Sequence, residues 1–200
     1  MAVTLNASTS TGYIQTADTS GDLALQSNGT TQFNVTSTGA YGQLKASTAV
    51  TVSGTSVDFT SIPSWVKRIT VMLQGVSTNG TNTYQIQIGA GSMTTSGYAA
   101  VNTSAAGAGV GTTAYTSGFV VVLPSLATNV NSGAVRITNL TGNTWVVDGV
   151  VASTDSNRNN ICAGSIALGG TLDRLRIIAS ATGSPSDTFD AGTINILYEG

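Results

Sequence analysis

The run Ser61-Ile-Pro-Ser-Trp-Val-Lys-Arg-Ile-Thr-Val-Met-Leu-Gln-Gly-Val-Ser77, continued by Thr78-Asn-Gly-Thr81 and Asn82-Thr-Tyr-Gln-Ile-Gln-Ile-Gly89, decides the fold class. In its first half Ile69, Val71 and Leu73 alternate with Arg68, Thr70, Met72 and Gln74. In its second half Tyr84, Ile86 and Ile88 alternate with Gln85 and Gln87. A period of two puts alternate side chains on opposite faces of an extended chain, so each half reads as a strand with one buried face. An Asn-Gly dipeptide between two such runs is a hairpin signal, because both positions accept the positive φ of a type I′ turn. The sequence therefore predicts a hairpin of 67–73 with 83–88 about Asn79-Gly80, with the other strands packed against or beside it.

Outward from this stretch the same signals recur. Further strands are expected at 49–53, 56–59, 97–102, 118–123, 133–139, 145–152, 160–167, 173–179 and 193–198, punctuated by Asn-Gly, Gly-Asn, Ser-Gly and Gly-Gly dipeptides. No window carries a helical stripe, so the chain reads as all-β. About ten short strands in roughly 150 residues favour a two-sheet jelly roll over a seven-strand immunoglobulin-type sandwich. Pro63 lacks an N–H and belongs to the connection ahead of Trp65, not to a central strand. The small-residue segment Ser104–Gly111 reads as a loop. Trp65 and Trp145 read as core or rim anchors, with a ligand platform as the alternative.

Residues 1–42 differ. Short alternating pieces at 2–5, 12–16, 23–26 and 32–35 each hold two or three apolar residues, too few for an independent core. The segment must borrow a partner: the same segment of neighbouring subunits, or a particle to which it attaches. A disordered Ser/Thr/Gly-rich leader is the alternative. The division is thus 1–42 as an N-terminal attachment or intertwining arm, 43–47 as a linker, and 48–200 as a jelly-roll-like β-sandwich.

Composition narrows the function classes. Charged residues are 8% of the chain against about 25% in an ordinary domain, so Ser, Thr, Asn, Gln and Gly must cover the surface. That surface suits packing among copies or other coat proteins better than free life in a cytosol. Net charge is −2 and the seven Lys and Arg are scattered, which argues against nucleic acid as a partner. No apolar run approaches the roughly 20 residues of a membrane-spanning helix, so no membrane partner is expected. The start, Met-Ala-Val-Thr-Leu-Asn, lacks the charged and apolar regions of a signal peptide, so the expected site of synthesis is a cytoplasm, with exit in a particle or by lysis.

With no histidine, the commonest general base and metal ligand is missing, and Ser-His-Asp and Cys-His arrangements cannot form. The single cysteine, Cys162, reads as a small buried apolar residue. Asp187 and Asp190 are close in sequence but read as turn-capping residues at the entry to the last strand. Asp155-Ser-Asn157 has calcium-like spacing without an EF-hand loop behind it. No catalytic, cofactor-binding or metal residues are therefore assigned, no cofactor is expected, and an enzyme is not expected. Arg174 and Arg176 share a face in a charge-poor chain. Solvent exposure is the default for them, and an interface ion pair with Asp148 or Asp190 of another subunit is the sharper expectation.

Ile62-Pro-Ser-Trp-Val-Lys-Arg-Ile-Thr-Val-Met72 with Gly75-Val-Ser-Thr-Asn-Gly-Thr81 resembles a C-terminal domain found widely in bacteriophage structural proteins, among them tail fibres, head fibres and head decoration proteins. Leu172-Asp-Arg-Leu-Arg-Ile177 and Asp187-Thr-Phe-Asp-Ala-Gly-Thr-Ile-Asn-Ile-Leu-Tyr-Glu199 look like the last two strands of that domain. The resemblance spans 48–200 and implies a homotrimeric virion surface protein docked through its N-terminal segment on the major capsid protein or another virion protein. Most family members with adhesin roles carry a long shaft. Here only residues 1–47 precede the domain, which favours head decoration over a short tail fibre or adhesin that binds a host surface glycan.

Overall fold

The structure, a computed structural model, describes residues 23–27, 30–36, 39–41 and 44–200, the last without 108, 124, 125, 181 and 184. The chain divides into two compact units, Met1–Gln43 and Leu44–Gly200. In the first, β1 (Leu23–Ser27), β2 (Thr30–Thr36) and β3 (Gly39–Tyr41) form an antiparallel sheet in that order. β1 and β2 fall on the expected pieces at 23–26 and 32–35, and Ser27 opposite Thr30 places Asn28-Gly29 between them. The pieces expected at 2–5 and 12–16 lie outside the described residues.

The second unit is all-β. Its strands are β4 (Leu44–Ala46), β5 (Val50–Thr51), β6 (Ser56–Thr60), β7 (Arg68–Thr78), β8 (Tyr84–Ala90), β9 (Ser92–Met93), β10 (Ala99–Ala106), β11 (Gly109–Tyr115), β12 (Phe119–Val122), β13 (Asn131–Thr141), β14 (Thr144–Ser153), β15 (Arg158–Ala167), β16 (Arg174–Ala179) and β17 (Phe189–Glu199). All pairings are antiparallel. The larger sheet has the order β11-β10-β15-β14-β13-β7-β17-β4, with β5 also on β17. The smaller has the order β12-β8-β16-β6, with β9 on β8. Removing the β10–β11 and β14–β15 hairpins leaves two four-stranded layers, β4/β5-β17-β7-β13 and β6-β16-β8-β12. The chain passes between these layers in the jelly-roll order. The two hairpins widen one layer only.

Every strand expected from 49 onward is present, but three expectations need correction. The expected hairpin does not form. β7 pairs with β13 and β17 in the large sheet, while β8 pairs with β12 and β16 in the small one. Asn79-Gly80 therefore lies on a connection between layers. Ile69, Val71 and Leu73 from one layer, and Tyr84, Ile86 and Ile88 from the other, all enter one core. Residues 104–111 are not a loop: β10 runs to Ala106 and β11 begins at Gly109, with Ala106 opposite Gly109. The second unit also begins ahead of 48. Leu44–Ala46, within the expected linker, form β4 and pair with Leu197–Glu199 of β17.

The core is built from the inward residues of both layers, Phe59, Leu175 and Ile177 among those from the small sheet and Val135, Ile137, Ile194 and Ile196 among those from the large one. At roughly 25 cal/mol per Å² of buried apolar surface, a core of this extent is the dominant favourable term in folding. β8 is buried on its second face as well, which its Gln85 and Gln87 did not foretell. Gln87 Nε2 donates to the carbonyls of Ser117 (2.9 Å) and Gly183 (3.0 Å), and Ser117 Oγ donates to Gln85 Oε1 (3.1 Å). Two connecting segments thus roof the small sheet, and amide side chains provide the hydrogen bonds that a buried backbone requires.

Candidate functional site

The two stretches that carry the sequence resemblance meet at one end of the sandwich. Asn79 donates its N–H to the carbonyl of Thr188 (3.0 Å), and Asn79 Oδ1 accepts from Thr188 N–H (2.9 Å). Asp187 accepts from Asn82 N–H and Asn82 Nδ2, both at 2.8 Å. Gly80 makes this approach possible, since a Cβ there would lie 2.2 Å from the Asp187 carboxyl carbon. Asp190 accepts from Ser77 Oγ, and Phe189 meets Tyr84 edge-on with centroids 5.7 Å apart. Asp187 and Asp190, expected as turn caps, instead clasp the β7–β8 connection to the start of β17.

The remaining described acids are also engaged. Asp58 accepts a bidentate pair from Arg176 (2.7 and 2.6 Å), a cross-strand contact between β6 and β16. Arg136 on β13 reaches Asp148 on β14 (2.5 Å), and Glu199 pairs with Arg68 across β17 and β7. Asp173 accepts from Arg174 Nε (2.7 Å) and from Gly91 N–H (3.1 Å). The Arg174 guanidinium beside it holds the Asp173 carboxyl below the usual range. Asp155 accepts from Thr154 Oγ1 (3.3 Å) within a 3₁₀ turn, Thr154–Ser156, that ends on a left-handed Asn157. Where the sequence alone suggests solvent exposure or an ion pair with Asp148 or Asp190 of another subunit, both arginines are matched inside the chain, Arg174 to Asp173 and Arg176 to Asp58. Register explains this, because Arg176 stands directly opposite Asp58.

Between the layers lies an uncharged polar seam. Ser153 Oγ donates to Asn131 Oδ1 (2.6 Å), and Asn131 Nδ2 donates to the Val76 carbonyl (3.0 Å). Asn160 Nδ2 donates to the Val151 carbonyl (3.2 Å), while its Oδ1 accepts from Leu123 N–H (3.1 Å). Asn102 Nδ2 donates to the Val120 carbonyl (2.9 Å). Asn102 and Asn160 fasten β12 and the residue after it to the large sheet, while Asn131 ties β13 to β7 and β14 within that sheet. No alternation of apolar residues announces them; buried asparagines in strands are the only sequence signal.

Cys162 is buried, its thiol pushed up to about 12 by desolvation and by the nearby Asp148 charge. Trp145 is buried and Trp65 packs against the core, so both serve as anchors. Among the described residues no three His, Cys, Asp or Glu side chains gather as a metal site. A cleft of about 140 Å³ is lined by Lys67, Asn139, Asn143 and Trp145 among others. The Trp145 Nε1 has no partner but is closed off from solvent, so it presents nothing to a ligand there.

The chain's most distinctive surface is the outer face of the large sheet. Val101 on β10, Val150 on β14 and Ile161 on β15 are 43%, 48% and 49% exposed, and Val110 on β11 is 71% exposed. Ala114, Ala134 and Ala163 fill positions around them, and the Arg136–Asp148 pair borders the patch in the row of Val101 and Ala163. A scan against protein-family models finds no match for this chain, and a search of curated proteins finds none either.

Proposed function

We propose that the protein is a bacteriophage structural protein of the virion surface, a homotrimeric head decoration (head-fibre) protein. Its N-terminal unit docks on the major capsid protein or another virion protein, and its β-sandwich projects outward and adds stability to the particle. The observation that carries this reading is the contrast between the two units. Leu44–Gly200 has a complete core of its own, whereas the described strands of Met1–Gln43 are short and leave Leu25 nearly half exposed. Short strands that leave a leucine this exposed are suited to gripping something else. The acids matched inside the fold, together with the hydroxyl- and amide-rich surface, fit a scaffold better than a reactive site. The three-fold state and the virion location rest on the resemblance at 62–81 and 172–199.

The test is add-back to particles that lack the protein. The full chain is expected to bind and to raise their resistance to heat, while a chain starting at Leu44 is expected to do neither. Binding of both chains alike would contradict the role given to the N-terminal unit. Specific binding of the sandwich to host cells, blocked by cell-surface polysaccharide, would favour the fibre or adhesin reading.

A further inference from the structure

Of the free sheet edges in Leu44–Gly200, three are blunted. β4 and β5 are two or three residues long, and β4 carries Lys45. β6 carries Asp58, tied to Arg176. β12 is wholly buried, with Asn102 binding its Val120 carbonyl and Asn160 the N–H of Leu123 just after it. Short length, charge and cover are the usual means by which an edge is kept from pairing with another chain.

β11 has none of these. It is a seven-residue strand, Gly109-Val-Gly-Thr-Thr-Ala-Tyr115, with no charge and no proline. It pairs with β10 along its whole length, and among the described residues no strand pairs with its other side. Gly109 to Ala114 are exposed and Tyr115 is half-buried, so the strand overhangs the smaller sheet. Beside it runs the exposed apolar face of Val101, Val150 and Ile161.

The geometry points to a second copy of this chain as the occupant, through antiparallel pairing of β11 with its own mate about a two-fold axis normal to the sheet. Such an axis keeps the apolar face of both copies on the same side. Directly opposed residues must then point to the same face, so the register centres on a residue. Only a centre at Thr112 pairs all seven positions. In that register Thr112 meets Thr112 of its mate, Thr113 meets Gly111, Ala114 meets Val110 and Tyr115 covers Gly109. Each glycine faces a larger side chain, the tyrosine lying over an edge glycine in the manner that stabilises designed sheets, and the Thr–Thr pair is a favourable cross-strand contact. No like charges meet. The two large sheets become one, with a continuous apolar outer face. This inference concerns the sandwich alone and does not depend on the three-fold arrangement proposed for the protein.

The experiment uses the full chain. Cys162 is buried, so a cysteine placed on β11 is the reactive thiol. Thr112→Cys is expected to oxidise to a disulfide-linked pair of chains, while Val110→Cys and Lys45→Cys stay unlinked, and Val110→Cys combined with Ala114→Cys links again. Thr112→Lys, at an exposed position, is expected to halve the assembly mass read by light scattering without change in the far-UV spectrum. Failure of Thr112→Cys to link faster than Lys45→Cys overturns the pairing, as does an assembly mass unaltered by Thr112→Lys.

Discussion

At the scale of single residues, Asp187 is the group whose loss should matter most beyond the apolar core. Replacing it with Ala removes both acceptors of Asn82 and opens the clasp between the β7–β8 connection and β17. Leaving partly buried donors unmet costs about 1–3 kcal/mol. In a chain of this size that lowers the melting temperature by roughly 2–4 °C per kcal/mol, readable by calorimetry. Cys162 makes a second prediction. Its folded value, pushed up to about 12, lies above the ordinary thiol value of about 8.5. A group raised on folding contributes stability that is fully present below its unfolded pKa and is lost as pH rises toward the folded one. Burial raises Tyr98 in the same direction, with a window that opens near the ordinary tyrosine value of about 10. Urea midpoints should therefore fall steadily above about pH 8.5, and Cys162→Ala should flatten the first part of that fall. A midpoint constant to pH 11 in the wild-type chain would contradict this burial.

At the scale of elements, the turn of β7 into the core depends on a pair of glycines. Gly75 (φ 64°) and Gly192 (φ 103°) sit where the β7–β17 register shifts, and a Cβ on Gly192 would lie 2.4 Å from the Gly75 carbonyl oxygen. Up to Leu73 the strand alternates buried and partly exposed residues; beyond the bulge Val76, Ser77 and Thr78 are all buried. Gly192→Ala combines backbone strain with a clash and should destabilise by about 1–3 kcal/mol or more, measurable by urea unfolding. A change below about half a kcal/mol would mean that the two strands separate there easily.

The same elements show what a sequence reveals and what it hides. Period-two alternation located β6 to β8, β10 and β12 to β17, because each lines the core with one face. It could not tell which strands are partners. The faces of Ile69, Val71, Leu73 and of Tyr84, Ile86, Ile88 satisfy side-by-side pairing and face-to-face packing equally well, and the structure uses the second. β11 was invisible for the opposite reason: no side of Gly109–Tyr115 is buried, so it has no alternation to read. The Asp187 and Asp190 clasp was hidden because its partners, Asn79, Asn82 and Ser77, are more than a hundred residues away in sequence.

At the scale of the whole molecule, the sandwich of Leu44–Gly200 has a core of its own, and the proposed role assigns docking and three-fold assembly to the unit Met1–Gln43. Removing residues 1–43 should leave a chain that unfolds cooperatively with little change in midpoint, yet no longer assembles in threes, as sedimentation would read. Loss of the sandwich fold in that truncation would show that the first unit is part of its core. The scaffold role itself is tested most directly by counting copies of the protein in purified particles of the phage proposed to carry it, by quantitative mass spectrometry. A head decoration protein is expected at hundreds of copies per particle; tens or fewer would move it to a fibre, and absence from the particle would contradict a virion role altogether.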